Sequence, residues 1–136
     1  MKLFGTIITI FALLVLLASP AEGRKDWQHK CVKKSPAVVN AISKYCTQAG
    51  LKSMVPTKWT SAGKSTDRND PYYHSVANVH IAGNCEPKQW VPRKMCFLQF
   101  YRMCARGNDK GQNLKRFGRD GCQSWSTWNP YPHPSP

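Results

Sequence analysis

The chain has 136 residues, with 20 lysines and arginines against 7 aspartates and glutamates, so its formal net charge at pH 7 is +13. A chain of this length can form one small domain but not two. The charge draws the protein toward anionic surfaces such as phospholipid head groups, acidic cell-wall polysaccharide or nucleic acid, and the alternative is a charge that only aids solubility.

The first 23 residues have the layout of a secretory signal peptide. Lys2 precedes an apolar run over residues 3–17, and Pro20 is followed by the small residues Ala21 and Gly23. The run is short for a membrane span. We therefore expect cleavage after Gly23, or after Ala21, and a secreted, extracellular protein. An uncleaved N-terminal anchor is the alternative.

An even number of cysteines in a short exported chain predicts disulfides, here three. The six cysteines are Cys31, Cys46, Cys85, Cys96, Cys104 and Cys122. No C-x-x-C occurs, and the histidines are not spaced against the cysteines as zinc sites require. The sequence therefore predicts neither a metal nor another cofactor.

The first predicted helix follows Ser35, which can cap it, with Pro36 at the first helical position and Gly50 able to end it. Its apolar positions repeat with helical spacing. These positions are Val38, Ala41, Ile42, Tyr45 and Cys46.

The next predicted element is a strand over residues 74–82, because polar and apolar residues alternate there. Ala77, Val79 and Ile81 point to one face, and His74, Val76, Asn78 and His80 point to the other. Shorter strands are predicted within residues 51–59 and within residues 122–128.

A second helix is predicted from Val91 to Arg106, with Pro92 in its first turn and Gly107 just past its end. Cys96, Phe100 and Cys104 fall on one apolar stripe, flanked by Phe97 and Met103. Eight helical residues rise about 12 Å, beyond the roughly 7 Å limit between bridged Cα atoms. The two cysteines of this helix therefore bond other elements.

This order of elements predicts an α+β domain over residues 24–128, with two helices packed on a small antiparallel sheet and three disulfides. A proline-rich tail, 129–136, is predicted to be extended or disordered. If strands 74–82 and 122–128 pair antiparallel, Cys85 lies near Cys122. Cys31 and Cys46 then bond Cys96 and Cys104, in either pairing.

The enzymatic alternative is a ribonuclease. His74, Glu86, Arg119 and His133 occur in an order that resembles the catalytic His, Glu, Arg and His of the fungal ribotoxin and guanyl-specific ribonuclease families. The agreement is one of order, without a shared local motif, and no serine-hydrolase signature occurs. We therefore expect a protein without enzymatic activity.

The secretion signal, three disulfides and the stretch from Cys96 to Trp125 resemble the small cysteine-rich secreted proteins of filamentous fungi. This resemblance implies an effector that modulates host immunity or cell death by binding a host component in the apoplast or host cytoplasm. It supplies no site residues. A cationic antimicrobial protein and a ribonuclease-like toxin remain alternatives. The expected partner of this monomer is a host protein or an anionic surface, with nucleic acid possible but supported by no motif.

The densest cluster of cations predicts the binding surface. Residues 110–119 are interpreted as an exposed loop, and loops commonly carry recognition. The predicted binding residues are Lys110, Lys115, Arg116, Phe117 and Arg119. Phe117 is expected to act as an apolar anchor beside the charges. The alternative is a solvated loop with Phe117 folded back into the core.

Overall fold

The structure is a computed structural model that describes residues 21–49, 53–57, 60, 63–65 and 77–129. Several sequence predictions fall outside these ranges. They concern residues 1–20 of the signal peptide, residues 130–136 of the tail, and Gly50, His74, Val76 and His133.

Three helices are present in the described ranges: α1 (Ala21–Lys34), α2 (Pro36–Ala49) and α3 (Arg93–Arg106). The predictions of α2 and α3 are confirmed. The structure adds a third helix, α1, which the sequence analysis does not predict. In α1, only Trp27 and Cys31 pack against the core, and Val32 is 40% exposed. Two apolar contacts are too few to produce a helical repeat of apolar residues in the sequence.

The strands form two antiparallel sheets, which confirms the α+β class. Strands β1 (Met54–Val55) and β4 (Gln89–Trp90) pair with each other. The larger sheet has the order β2-β3-β6-β5, and its strands are β2 (Lys64–Ser65), β3 (Asn78–Gly83), β5 (Asn113–Phe117) and β6 (Gln123–Trp128). Helices α2 and α3 pack on this sheet, and α1 packs mainly against α3.

The pairing of β3 with β6 has the predicted direction and register. Gly83, at the end of β3, lies opposite Gln123, at the start of β6. Ala77, Val79 and Ile81 are fully buried, as the alternation predicts. The prediction of a loop over 110–119 is wrong, because this stretch contains β5, the edge strand beside β6.

Phe100 on α3 lies at the centre of the core. Its ring meets Tyr45 of α2 edge-on at 5.6 Å and lies 4.7 Å from the ring of Trp125 on β6. The buried indole N–H of Trp125 donates to the side-chain oxygen of Gln123 at 2.9 Å, so the polar end of this large residue is satisfied. One aromatic row thus joins two helices to the sheet.

Ser35 joins α1 and α2 and also holds the far end of the sheet. Its hydroxyl oxygen accepts from the Val38 N–H at 3.3 Å, as an N-cap does. It also accepts from the side-chain amide of Asn129 at 3.0 Å. Asn129 is buried, so the folded chain continues one residue past the predicted end of the domain at residue 128.

The three disulfides have the predicted partners, and the structure resolves the open pairing. Cys31 bonds Cys104 with Cα atoms 5.3 Å apart, Cys46 bonds Cys96 at 5.7 Å, and Cys85 bonds Cys122 at 5.0 Å. Helix α3 is therefore bridged to both other helices. Gly111 passes close to the first bridge with a φ of +72°, and a Cβ there would lie 2.9 Å from the Cys104 Sγ.

Removal of the bridge between α1 and α3 is expected to destabilise the protein. Cys31→Ser with Cys104→Ser should lower the free energy of unfolding by about 2–5 kcal/mol, because the bridge closes a long loop in the unfolded chain. Denaturant unfolding of the purified variant measures this. The double change leaves no unpaired thiol, and an unfolding free energy equal to that of the parent would contradict the bridge.

Candidate functional site

The five residues predicted to form a cationic loop do not form one cluster. Lys110 lies in the turn after α3, and Arg119 begins a short 3₁₀ helix. The other three lie on β5, whose side chains alternate between the two faces of the sheet. Lys115 and Phe117 line a groove against α3, whereas Arg116 lies on the opposite face.

Phe117 is half-buried against the core and is not an exposed anchor. Its ring meets Trp125 edge-on, with centroids 5.3 Å apart and an interplanar angle of 73°. Its neighbour Leu114, on the other face of β5, is 66% exposed. The alternative interpretation, in which Phe117 folds back into the core, is the one the structure supports.

A groove between α3 and β5, here called the Arg102 groove, brings together cations that are distant in sequence. It has a volume of about 250 Å³ and is lined by Arg102, Met103, Arg106, Asn113, Lys115 and Phe117. Arg102 and Arg106 are four residues apart on α3 and thus share one side of the helix. The side-chain amide of Asn113 donates to the Met103 carbonyl oxygen at 2.9 Å, which fixes β5 against α3.

A second pocket, here called the Phe97 pocket, lies between α1 and the start of α3. Its volume is about 630 Å³, and it is lined by Arg24, Gln28, Arg93, Lys94, Phe97 and Tyr101. The guanidinium carbons of Arg24 and Arg93 lie 5.7 and 5.9 Å from the centroid of the Phe97 ring. Both are cation–π contacts, which hold the two arginines at the pocket.

Tyr101 is the buried polar group of the Phe97 pocket. Its ring stacks on Phe97 with centroids 5.9 Å apart. Burial raises the pKa of the Tyr101 hydroxyl, and the positive charge of Arg24 opposes that rise. The hydroxyl is therefore protonated at neutral pH and lies within the electrostatic reach of Arg24.

The cations of the two pockets are not neutralised by neighbouring acids. Within the described part of the chain, none of them forms an ion pair with a carboxylate. These cations are Arg24, Arg93, Lys94, Arg102, Arg106 and Lys115. An ion pair does occur on the exposed side of α1, where Lys30 lies 2.9 Å from Asp26.

Local sequence signals exist for these cations, but of the six only Lys115 is among the predicted binding residues. Arg102 and Arg106 have helical i, i+4 spacing, yet that spacing does not reveal the approach of β5. Arg93 and Lys94 occupy the first turn of α3, where acidic residues are usually favoured. Two cations at a predicted helix start are therefore an unusual feature that can be recognised in the sequence. Arg24 follows the predicted cleavage site, and nothing near it in sequence indicates a pocket.

The ribonuclease prediction is not tested by the structure. Glu86 and Arg119 are both exposed, and His74 and His133 lie outside the described residues. In the ranges that the structure describes, no three histidine, cysteine or acidic residues lie close enough to hold a metal ion. No helix in those ranges is long and apolar enough to cross a membrane.

Comparison with known proteins gives no relative. No family model matches the chain, and no curated protein and no solved structure is similar to it.

Truncation of Phe117 distinguishes a core residue from an exposed anchor. Phe117→Ala should lower the free energy of unfolding by about 1–3 kcal/mol, less than the 3–5 kcal/mol typical of a fully buried phenylalanine. The matched control Leu114→Ala, on the exposed face of the same strand, should stay within about 0.5 kcal/mol of the parent. Equal stabilities of the two variants would show that Phe117 does not pack in the core.

Proposed function

We propose that this protein is a secreted cationic effector of the fungal cysteine-rich kind, which acts without catalysis by binding an acidic segment of a host protein at the Arg102 groove. The observation that carries the proposal is the convergence of Arg102, Arg106 and Lys115 on one groove that no carboxylate lines. Such a groove presents unneutralised charge to a partner.

The groove fits part of a macromolecule better than a whole small molecule. Ligand sites for small molecules usually have volumes of about 300–1,000 Å³, and this groove has about 250 Å³. That volume suits one or two side chains of a partner. Guanidinium groups bind carboxylates through two parallel hydrogen bonds, so Arg102 and Arg106 favour aspartate or glutamate.

The groove also offers an apolar contact. Met103 is 2% exposed and Phe117 is half-buried, and both line the groove. A partner segment that combines acidic and apolar side chains can use the cations and this apolar surface together. Binding sites of this composition are common at protein interfaces, where arginine and aromatic residues contribute much of the affinity.

Strand β5 adds a backbone edge next to the groove. The sheet order places β5 outermost, and no strand of the described ranges pairs with its outer side. An extended segment can hydrogen-bond to such an edge and align its alternate side chains with the groove. The cations on β5 also oppose pairing with a second basic copy of the chain, which favours an acidic partner.

One observation favours this function over the antimicrobial alternative. The apolar stripe of α3 packs inside the core, because Cys96, Phe100 and Cys104 are fully buried. It is therefore not free to enter a lipid surface, as amphipathic membrane helices require. The net charge of +13 attracts anionic partners of either kind at long range and makes the association sensitive to salt.

Charge reversal in the groove tests the proposal. Arg102→Glu with Lys115→Glu should weaken binding to a labelled peptide of alternating glutamate and leucine about tenfold, or about 1.4 kcal/mol, measured by fluorescence anisotropy in low salt. It should also reduce the host response after application to host tissue.

The matched control is Lys33→Glu with Lys88→Glu, which changes the net charge equally at exposed positions outside both pockets. Because every cation contributes to the long-range attraction of the acidic peptide, the control should also weaken peptide binding, but by less than about threefold. Equal losses in the two variants would show that bulk charge, and not the groove, governs binding.

The proposal also predicts the absence of catalysis. Secreted protein, purified from medium, should leave single-stranded RNA intact over hours and should release no dye from vesicles of mixed neutral and anionic phospholipid. Gel electrophoresis and fluorescence dequenching measure the two outcomes. RNA cleavage that Glu86→Gln abolishes would replace this proposal with the ribonuclease alternative.

A further inference from the structure

The Phe97 pocket concentrates positive charge at one place on the surface. Arg24, Arg93 and Lys94 line it, and its volume of about 630 Å³ falls within the range of small-molecule sites. None of the three forms an ion pair with a carboxylate within the described ranges. Three like charges around one concavity repel each other, so an anion bound among them would be stabilised.

The first turn of α3 strengthens this field. The N-cap position is Pro92, which makes no side-chain hydrogen bond to the helix, and the first turn contains no acidic residue. The amide N–H groups at a helix start carry the positive end of the helix dipole, which disfavours the cations Arg93 and Lys94 there. An anion held near these side chains would relieve the repulsion.

Tyr101 adds a hydroxyl donor to the pocket. It is 3% exposed, yet its hydroxyl has no hydrogen-bond partner among the residues that the structure describes. Tyr101 and Arg24 both line the pocket. A bound anion would accept the unused hydrogen bond.

The stacked arginines favour a phosphate group over a carboxylate. Arg24 and Arg93 both contact the Phe97 ring, which orders their guanidinium groups before any ligand arrives. Two planar guanidiniums, an ammonium and a phenol offer more donors than the two oxygens of a carboxylate can use. A phosphate monoester carries close to two negative charges at pH 7 and three terminal oxygens, which matches this donor set.

We propose that the Phe97 pocket binds a phosphate monoester, with Arg24, Arg93 and Lys94 holding the phosphate and Tyr101 donating to one of its oxygens. The volume leaves room for a sugar-sized group attached to the phosphate. Cleavage after Gly23, as the sequence predicts, would retain Arg24 and add its α-amino group beside the pocket. The site is distinct from the Arg102 groove, and the proposal does not rest on the function assigned to that groove.

Calorimetry with two matched ligands tests the pocket. Protein secreted with its own leader and purified from medium should bind glucose 6-phosphate at least tenfold more tightly than glucose 6-sulfate at pH 7.5, because the sulfate has the same shape but one negative charge. Affinity for the phosphate should fall below about pH 6, where the dianionic ester takes up one proton and keeps a single negative charge. Equal affinities for the two ligands would overturn the assignment to phosphate.

Paired variants locate the binding. Arg93→Gln with Lys94→Gln should reduce the affinity for glucose 6-phosphate at least tenfold, and Tyr101→Phe should reduce it about threefold to tenfold while leaving thermal unfolding unchanged. The control Arg102→Gln with Lys115→Gln removes the same charge from the other groove and should leave the affinity within twofold. Equal losses in the pocket and groove variants would overturn the proposal, as would no loss in the pocket variant.

Vesicle sedimentation identifies the source of the phosphate. Phosphatidic acid has a terminal phosphate monoester, whereas phosphatidylglycerol has only a diester. Stronger binding to phosphatidic acid vesicles, lost in Arg93→Gln with Lys94→Gln, supports the pocket with a lipid head group as ligand. Binding of glucose 6-phosphate without this vesicle preference supports it with a soluble ligand. Vesicle preference that persists in the pocket variant would contradict the proposal.

Discussion

The rest of the structure depends on one stripe of α3. Cys96, Phe100 and Cys104 are spaced four residues apart, so they lie on a single face of the helix and are fully buried. The two cysteines bridge α3 to α2 and α1, and Phe100 packs between Tyr45 and the sheet. A small core supplies little stabilisation by itself, so covalent bridges on both sides of a central aromatic contact hold the helices on the sheet.

This arrangement leaves the flanks of α3 free to carry charge. With the buried stripe fixed, Arg93 and Lys94 lie at the start of the helix, and Arg102 and Arg106 lie near its end. The start of α3 meets α1, which supplies Arg24, and the end meets β5, which supplies Lys115. The same helix therefore holds the core together and presents two cationic concavities.

The two concavities differ in what they can bind. The Arg102 groove is small, is lined partly by apolar side chains, and lies next to an open sheet edge. These properties suit a segment of a larger partner. The Phe97 pocket is more than twice as large and contains a buried hydroxyl, which suits a compact anion. Charge by itself would not separate these uses, because three cations line each of them. Volume and the buried groups make the distinction.

The sequence by itself determined the α+β class, the helices α2 and α3, the direction of the β3–β6 pairing and the bridge between Cys85 and Cys122. Each of these follows from local periodicity or from chain direction. Only the tertiary structure decided the remaining features. Helix α1 has too few apolar residues to show a period, and the pairing of Cys31 with Cys104 depends on how α1 and α2 lie along α3. The cations of both pockets come from separate elements, so no local pattern could join Lys115 to Arg102 or Arg24 to Arg93.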